Sequence, residues 1–231
     1  MSKSKTRQGS GERKRLKAPT LANEAYARLE EMIILGKLSP DTRLSEQMLA
    51  QALGIGRTPI REALQKLKAN HLVEIQPRAG VFVSRMDFRS QLLVLEVRRE
   101  LEIVLASRAA RRAAPEQRAE FRRLAADMRA SGEQRDKLWL MDVDRRFKDL
   151  AIEAARNPYL AAALAPIYAH SRRFFFTHLE TTNVSIALSH SAAIEAIADG
   201  DEARAVEAAK RFLADVEEFT KAVITAELVN A

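Results

Sequence analysis

Residues 45–84 read SEQMLAQALGIGRTPIREALQKLKANHLVEIQPRAGVFVS. Two hydrophobic periods meet inside this stretch. Ser45 is a capping residue ahead of a short helical run, and Gly54 supplies a left-handed stop. A tight turn follows at Gly54–Gly56. Thr58 reads as the N-cap of the next helix and Pro59 as its first residue, because proline has no amide to leave unpaired there. Ile60, Ala63, Leu64 and Leu67 recur at helical spacing and form one apolar face. From Leu72 the period becomes two: a strand, a Pro-Arg-Ala-Gly turn, and a second strand. His71, between helix and hairpin, reads as a turn residue able to take a left-handed conformation, not as a ligand.

Working upstream, a helical pattern begins near Thr20, with Ala25, Leu29, Met32 and Ile33 in phase and Gly36 as terminator. Leu38–Thr42 is a turn. Three helices and a two-stranded hairpin within residues 20–85 is the order of a winged helix-turn-helix, which sets the first turn of its last helix in the DNA major groove. Arg57 and Arg61 project from that end, and arginine grips a phosphate or pairs with a guanine edge. Thr58 and the first-turn amides suit a phosphate oxygen. Arg78 stands at the hairpin tip, within reach of a DNA backbone or minor groove.

The charge distribution agrees with a polyanionic partner. The 231-residue chain carries a formal charge of +7. Residues 1–19 hold seven Lys/Arg against one Glu, residues 20–85 nine basic against seven acidic groups, and residues 86–231 twenty-two against twenty-three. The excess is concentrated at the N-terminal end, where residues 1–19 read as a disordered basic arm. No run reaches the roughly 18 apolar residues of a membrane helix. The arm has no apolar stretch behind it, so it is not a secretory signal. The chain has no cysteine, which excludes disulfides and thiol chemistry and fits a reducing cytoplasm.

Beyond Phe88 the chain reads as helical to its end. Breaks at Ala113–Pro115, Ser131–Gly132, Asn157–Pro158, Glu180–Val184 and Asp199–Gly200 divide residues 90–229 into six or seven helices. Short connections imply an antiparallel bundle. There is no Gly-rich phosphate loop and no Ser-His-Asp spacing, so catalysis is not expected.

Residues 44–83 resemble the DNA-binding domain of GntR-family bacterial transcription regulators, through RTPIREAL followed by LVEI and GVFV, and the resemblance covers roughly residues 20–85. The resemblance implies DNA contacts from Gln47, Arg57, Thr58, Arg61 and the wing tip at Arg78. His71 departs from the family, which usually has glycine there. LEVRRELEIVLASRAARRA (95–113), DVDRRFKDLAIEAARNPYL (142–160) and SHSAAIEAIADGDEARAVEAAKRFL (189–213) are similar to the all-helical FCD-type effector domain of the FadR subgroup.

Many members of that subgroup hold a divalent metal in the bundle. Laid on this chain, the four ligand positions are Asp144, Lys148, His190 and Phe212. A lysine ammonium has no lone pair and phenylalanine cannot coordinate. No metal or other cofactor is therefore expected. The alternative is zinc, nickel or manganese at a degenerate site in which His170 or His178 joins His190.

Where relatives use the ion to hold a small carboxylate, Lys148 is placed to hold it directly, anchored by Asp144. His190 and Arg98 would complete the pocket, with one of the adjacent pair Arg172 and Arg173. Phe147, Phe174, Phe175, Phe176 and Tyr168 are candidate apolar walls. Two plainer readings stand beside this one. Asp144 and Lys148 form an exposed i,i+4 pair, or they neutralise each other inside the bundle. Glu100 and Glu102 read as solvated charge or bundle ion pairs.

The expected molecule is a mainly α, homodimeric repressor. It would read an inverted-repeat operator in double-stranded DNA and be released by a small organic acid. An architectural DNA-binding dimer without effector, or a metal-dependent sensor with rearranged ligands, is the alternative.

Overall fold

The computed structural model describes residues 20–85, 88–178 and 184–230. The basic arm of residues 1–19 lies outside them. Helix α1 (Leu21–Ile34) starts where the Thr20 hydroxyl accepts from the Asn23 amide at 3.3 Å. It stops at Leu35, followed by Gly36 at φ +71°. Strand β1 (Arg43–Leu44) leads into α2 (Glu46–Leu53), framed by Ser45 and by Gly54 at φ +66°.

Helix α3 (Arg57–Ala69) begins earlier than its sequence implies. Gly56 is the N-cap and makes no side-chain cap bond, so Thr58 is the second helical residue and not the cap. Pro59, the third helical residue, is tolerated because the amides of the first turn have no intrahelical partner in any case. His71, at φ +58°, makes the turn out of the helix.

Strands β2 (Val73–Gln76) and β3 (Gly80–Val83) form the wing, with Val73 opposite Val83 and Gln76 opposite Gly80. The wing has a third strand that the sequence did not show. β1 pairs antiparallel to β3, Arg43 against Phe82 and Leu44 against Val81, giving the order β1-β3-β2. Two residues are too short to display an alternating pattern, so only the partner strand defines them.

Six helices follow among the described residues: α4 (Phe88–Arg112), α5 (Pro115–Glu133), α6 (Lys137–Ala155), α7 (Pro158–Thr177), α8 (Val184–Asp199) and α9 (Glu202–Asn230). The break expected at Ser131–Gly132 comes about two residues later, because both residues lie in the last turn of α5 and are buried. A Cβ at Gly132 would stand 2.2 Å from the Ala187 Cβ, so this glycine admits close approach of α8 instead of ending a helix. The chain turns at Gln134–Asp136, where Arg135 takes φ +55° and Asp136 accepts from the Trp139 amide at 3.0 Å to start α6.

Two hydrophobic clusters result. One unites Leu29, Ile60, Leu64, Leu67 and Val83. The other fills the bundle with Leu105, Phe121, Leu164, Ile194 and Phe212. They exchange residues across one joint: Ala169 of α7 belongs to the first cluster, and Ile34 of α1 to the second. Arg173 adds a hydrogen bond to the Ser84 carbonyl at 2.6 Å.

Candidate functional site

The bundle encloses a cavity of about 50 Å³ whose wall includes Arg98, Asp144, Lys148, Arg172 and His190. α4, α6, α7 and α8 each contribute to this set. All five residues singled out in the sequence therefore meet at one place, though their pairing differs from the expected one.

Lys148 is 2% exposed, which rules out the surface-pair reading. Its ammonium lies 2.6 Å from Glu102 Oε1, and Arg98 Nε reaches the same oxygen at 3.2 Å. Glu102, not Asp144, anchors Lys148. An i,i+4 spacing puts Asp144 and Lys148 on one face of α6, but long side chains from one face can reach different neighbours. Lys148 reaches α4. Asp144 turns toward α7, with Oδ2 3.5 Å from Arg172 Nε and Oδ1 4.0 Å from His190 Nδ1.

Burial lowers the Lys148 pKa, and the Arg98 charge adds to the effect, against the opposing pull of Glu102 and Asp144. Burial acts in the other sense on Glu102, but the Lys148 and Arg98 charges outweigh it and hold the carboxyl below its usual range. His190 is pushed well below 6.5 by burial and then by Lys148, so its imidazole is neutral at pH 7. Burial and the Glu102 charge raise the Tyr168 phenol well above its ordinary value.

Ser171 Oγ, Arg172 Nε and His190 Nε2 all belong to cavity-lining residues and are buried without a hydrogen-bond partner. The Tyr168 hydroxyl stands beside Glu102, yet not at hydrogen-bond geometry. Buried polar atoms are normally satisfied, so such a group of orphans marks a place for a polar ligand or ordered water.

The metal set does not fit. The Phe212 ring stacks on His190 with centroids 4.0 Å apart and planes 13° from parallel. Lys148 fills the second ligand position with a cation, 4.7 Å from the Tyr168 ring centre. Among the described residues no group of three or more His, Cys, Asp or Glu is placed to hold a metal ion, His170 and His178 included.

Of the aromatic wall candidates, Phe175, Phe176 and Tyr168 line the cavity. Phe147 is core, edge-on to Phe121 and His190, and Phe174 packs on Phe88 and His178. Arg172 faces the cavity, while Arg173 serves the joint with the N-terminal domain.

Sequence reasoning left Glu102 as either solvated charge or a bundle ion pair without tying it to this site, and it passed over Glu30. Glu102 had a usable signal: it lies four residues after Arg98, hence on the same face of α4. Glu30, buried on α1, pairs with Arg172 at 3.3 Å across the joint, and no local pattern announces that contact.

On the opposite domain, Gln47, Arg57, Thr58, Arg61 and Arg78 are all exposed. The Arg61 guanidinium makes a bidentate contact to Glu46 at 2.8 and 3.0 Å, which ties the start of α2 to the first turn of α3. That hydrogen bond is the main cause lowering the Glu46 pKa, with smaller help from the Arg61 and Arg57 charges. Arg57 and Thr58 open α3, and no side chain caps the first-turn amides beside them. Arg78 sits in the β2–β3 turn at φ +64°. Among the described residues no helix is long and apolar enough to cross a membrane.

Comparison with known proteins agrees with this two-part architecture. Residues 21–83 match the model for bacterial regulatory proteins of the gntR family, and residues 93–215 match the FCD domain. An HTH-type transcriptional regulator in an unstable DNA locus of Streptomyces ambofaciens is 41% identical over 68 residues, 29% of each chain. That alignment thus spans under a third of the relative's length. The HTH-type transcriptional repressor GlaR of Escherichia coli is 26% identical over 207 residues, 82% of this chain and 91% of GlaR.

The solved structure of E. coli McbR/YncC superposes with a TM-score of 0.76 at 19% identity, covering 90% of this chain and 100% of that one, which shows the shared fold. GntR-type helix-turn-helix domains bind DNA and FCD domains bind small-molecule effectors. These are regulators and not enzymes. The chain belongs to the GntR family of bacterial transcription regulators, in the branch that carries an FCD effector domain.

Proposed function

We propose that this regulator is a homodimeric repressor of the FadR subgroup, released from an inverted-repeat operator when a small carboxylate enters the bundle. The reading rests on the cavity: three cations, Arg98, Lys148 and Arg172, with orphaned polar atoms from Ser171, Arg172 and His190. A carboxylate satisfies such donors directly, with no metal ion needed between them. A cavity of about 50 Å³ has room for roughly four waters, which favours an acid of about four to six heavy atoms. The name of GlaR, a repressor, supports repression over activation.

Gln47, Arg57, Thr58, Arg61 and Arg78 are the DNA contacts of this reading. Two-fold symmetry would match two such surfaces to two half-sites, as in other helix-turn-helix dimers. A site for the full chain is first selected from random-sequence duplexes. Two- to four-carbon acids are then screened by thermal shift and by fluorescence anisotropy on that site. At least one acid should raise the melting temperature and weaken operator binding by about fivefold or more, the lower end of typical allosteric coupling. An acid panel with no member doing both would leave the effector half of the proposal without support. A chain that selects no site would remove the DNA-reading half.

A further inference from the structure

A continuous line of polar contacts joins the cavity to the DNA-facing helix. Arg172 Nε is 3.5 Å from Asp144 Oδ2 on the cavity wall, and its Nη1 is 3.3 Å from Glu30 Oε2 on α1. The other Glu30 oxygen accepts from the Tyr26 hydroxyl at 2.9 Å. That hydroxyl oxygen in turn accepts from Asn70 Nδ2 at 2.7 Å. Asn70 is the C-cap of α3, whose other end carries Arg57 and Arg61. Arg172 and Glu30 each leave only 10% of their side chains exposed. Burial and then the Glu30 charge raise the Tyr26 phenol far above its usual range, which keeps the hydroxyl a donor to Glu30 at neutral pH.

Charge accounting gives this line a direction. Arg98, Lys148 and Arg172 are matched by Glu102, Asp144 and Glu30 in direct contact, and Asp149 faces Arg172 from farther away, so the network has no spare positive charge. An entering carboxylate adds one negative charge that the buried cations cannot match without releasing a partner, because an uncompensated buried charge is costly. Glu102 is held by two cations deep in the bundle. Asp144 belongs to the cavity wall itself. Glu30 alone is carried by the other domain, and a small separation of α1 from α7 returns it to water. The other ties at this joint, Ala169 in the N-terminal core, Ile34 in the bundle core and Arg173 on the Ser84 carbonyl, do not line the cavity and can act as a pivot.

We infer that an anion in the cavity is read out through Arg172: it takes the guanidinium from Glu30, and the Glu30–Tyr26–Asn70 line then shifts the C-terminal end of the recognition helix. This deepens the effector reading and rests on it. Glu30 and Tyr26 are positioning residues that lie outside both binding surfaces.

The test needs no knowledge of the natural effector. Amide hydrogen exchange is measured on the full chain and on Asp144→Asn, each also carrying Tyr26→Phe or Glu30→Gln. Asp144→Asn leaves Glu30 as the one carboxylate within 4 Å of Arg172 among the described residues, with Asp149 farther off, which tightens the joint. Exchange at residues 68–72 should slow by about threefold or more, as for a locally stabilised opening. Tyr26→Phe cuts the hydrogen-bond link and Glu30→Gln the charge link. In either background the slowing should disappear while melting stays cooperative. Slowing of equal size in both backgrounds, or none in the parent, would overturn the relay.

A second arm uses acetate as the probe and the selected DNA site as readout. Tyr26→Phe should keep operator and acetate affinities within about twofold and cut the acetate effect on DNA binding about fivefold or more. A full acetate response in both variants disproves the relay and leaves the effector reading standing. Absence of any acetate response in the parent counts against that reading for this acid, and the exchange arm still decides the relay.

Discussion

Lys148 and Glu102 form the deepest ionic contact of the cavity, with Nζ and Oε1 at 2.6 Å and both side chains under a tenth exposed. Removing one member of a buried pair costs more than the pair itself contributes, because the survivor stays desolvated. Lys148→Met should therefore destabilise the chain by about 3 kcal/mol in urea unfolding, the low end for a broken buried pair, since Arg98 still faces Glu102. The double variant with Glu102→Gln should cost less than the sum of the two single changes. Strict additivity would show that the contact is not formed.

His190 gives a pH signature. Its folded pKa lies well below the unfolded value of 6.5, so between those two values only the unfolded chain takes up a proton. Stability is then fully present above about pH 6.5 and falls as the pH drops below it, at up to about 1.4 kcal/mol per pH unit. His190→Asn should flatten that slope between pH 7 and 5.5. An unchanged slope in denaturant titrations would mean that His190 is protonated in the fold. At this scale Arg98, Asp144, Lys148 and His190, with Arg172 of the adjacent arginine pair, lie in one cavity wall. The sequence could not choose the partner of Lys148, because helical spacing defines a face and not which neighbour a long side chain reaches.

Among the elements, α3 and α5 are the informative ones. The α3 start carries Arg57 and Arg61 at its exposed end. Replacing either by alanine should weaken binding to the selected operator roughly tenfold or more and blur discrimination against single-base variants, as expected for loss of an arginine–base contact. Melting temperatures should hardly move, since the Arg61–Glu46 contact is exposed. Unchanged operator affinity in both variants would take this helix out of the groove.

In α5, Gly132 reads as a helix breaker by composition but works as a packing residue. Alanine gains about 1 kcal/mol of helix propensity but would overlap Ala187, and overpacking typically costs about 1–3 kcal/mol. The overlap is with a Cβ in an apposed helix, which cannot rotate away. Gly132→Ala should therefore lower stability by about 1 kcal/mol net in thermal or urea unfolding, and a more stable variant would show that α8 can yield. The strand β1 was illegible for the opposite reason. It has two residues and no pattern, and β3 alone makes it a strand.

For the whole molecule, the joint between α1 and α7 decides how the two domains communicate. Ion pair, hydrogen bond and exchanged core residues all lie there. If acid binding weakens the hold on DNA, linkage requires that DNA weaken acid binding by the same factor. Calorimetric titration of a responsive acid into the free protein and into its operator complex should give affinity ratios equal to the anisotropy ratio. Unequal ratios would point to acid acting at a second site.

Local periodicity was sufficient for what is local. The change from helical to alternating spacing at Leu72, the helix start near Thr20, the caps at Ser45 and Gly54, and the helix faces of the bundle are short-range consequences of backbone geometry. The winged domain and the helical bundle followed from them, while the residues proposed for the cavity wall came from the resemblance to the FCD-type effector domain. Contacts between residues distant in sequence required the tertiary structure: Glu102 as the partner of Lys148, β1 on β3, Ala187 against Gly132, and Arg172 on Glu30 142 residues away. Each depends on which faces pack together and on how far a side chain reaches once they do, and neither quantity is written in the spacing of residues along one helix.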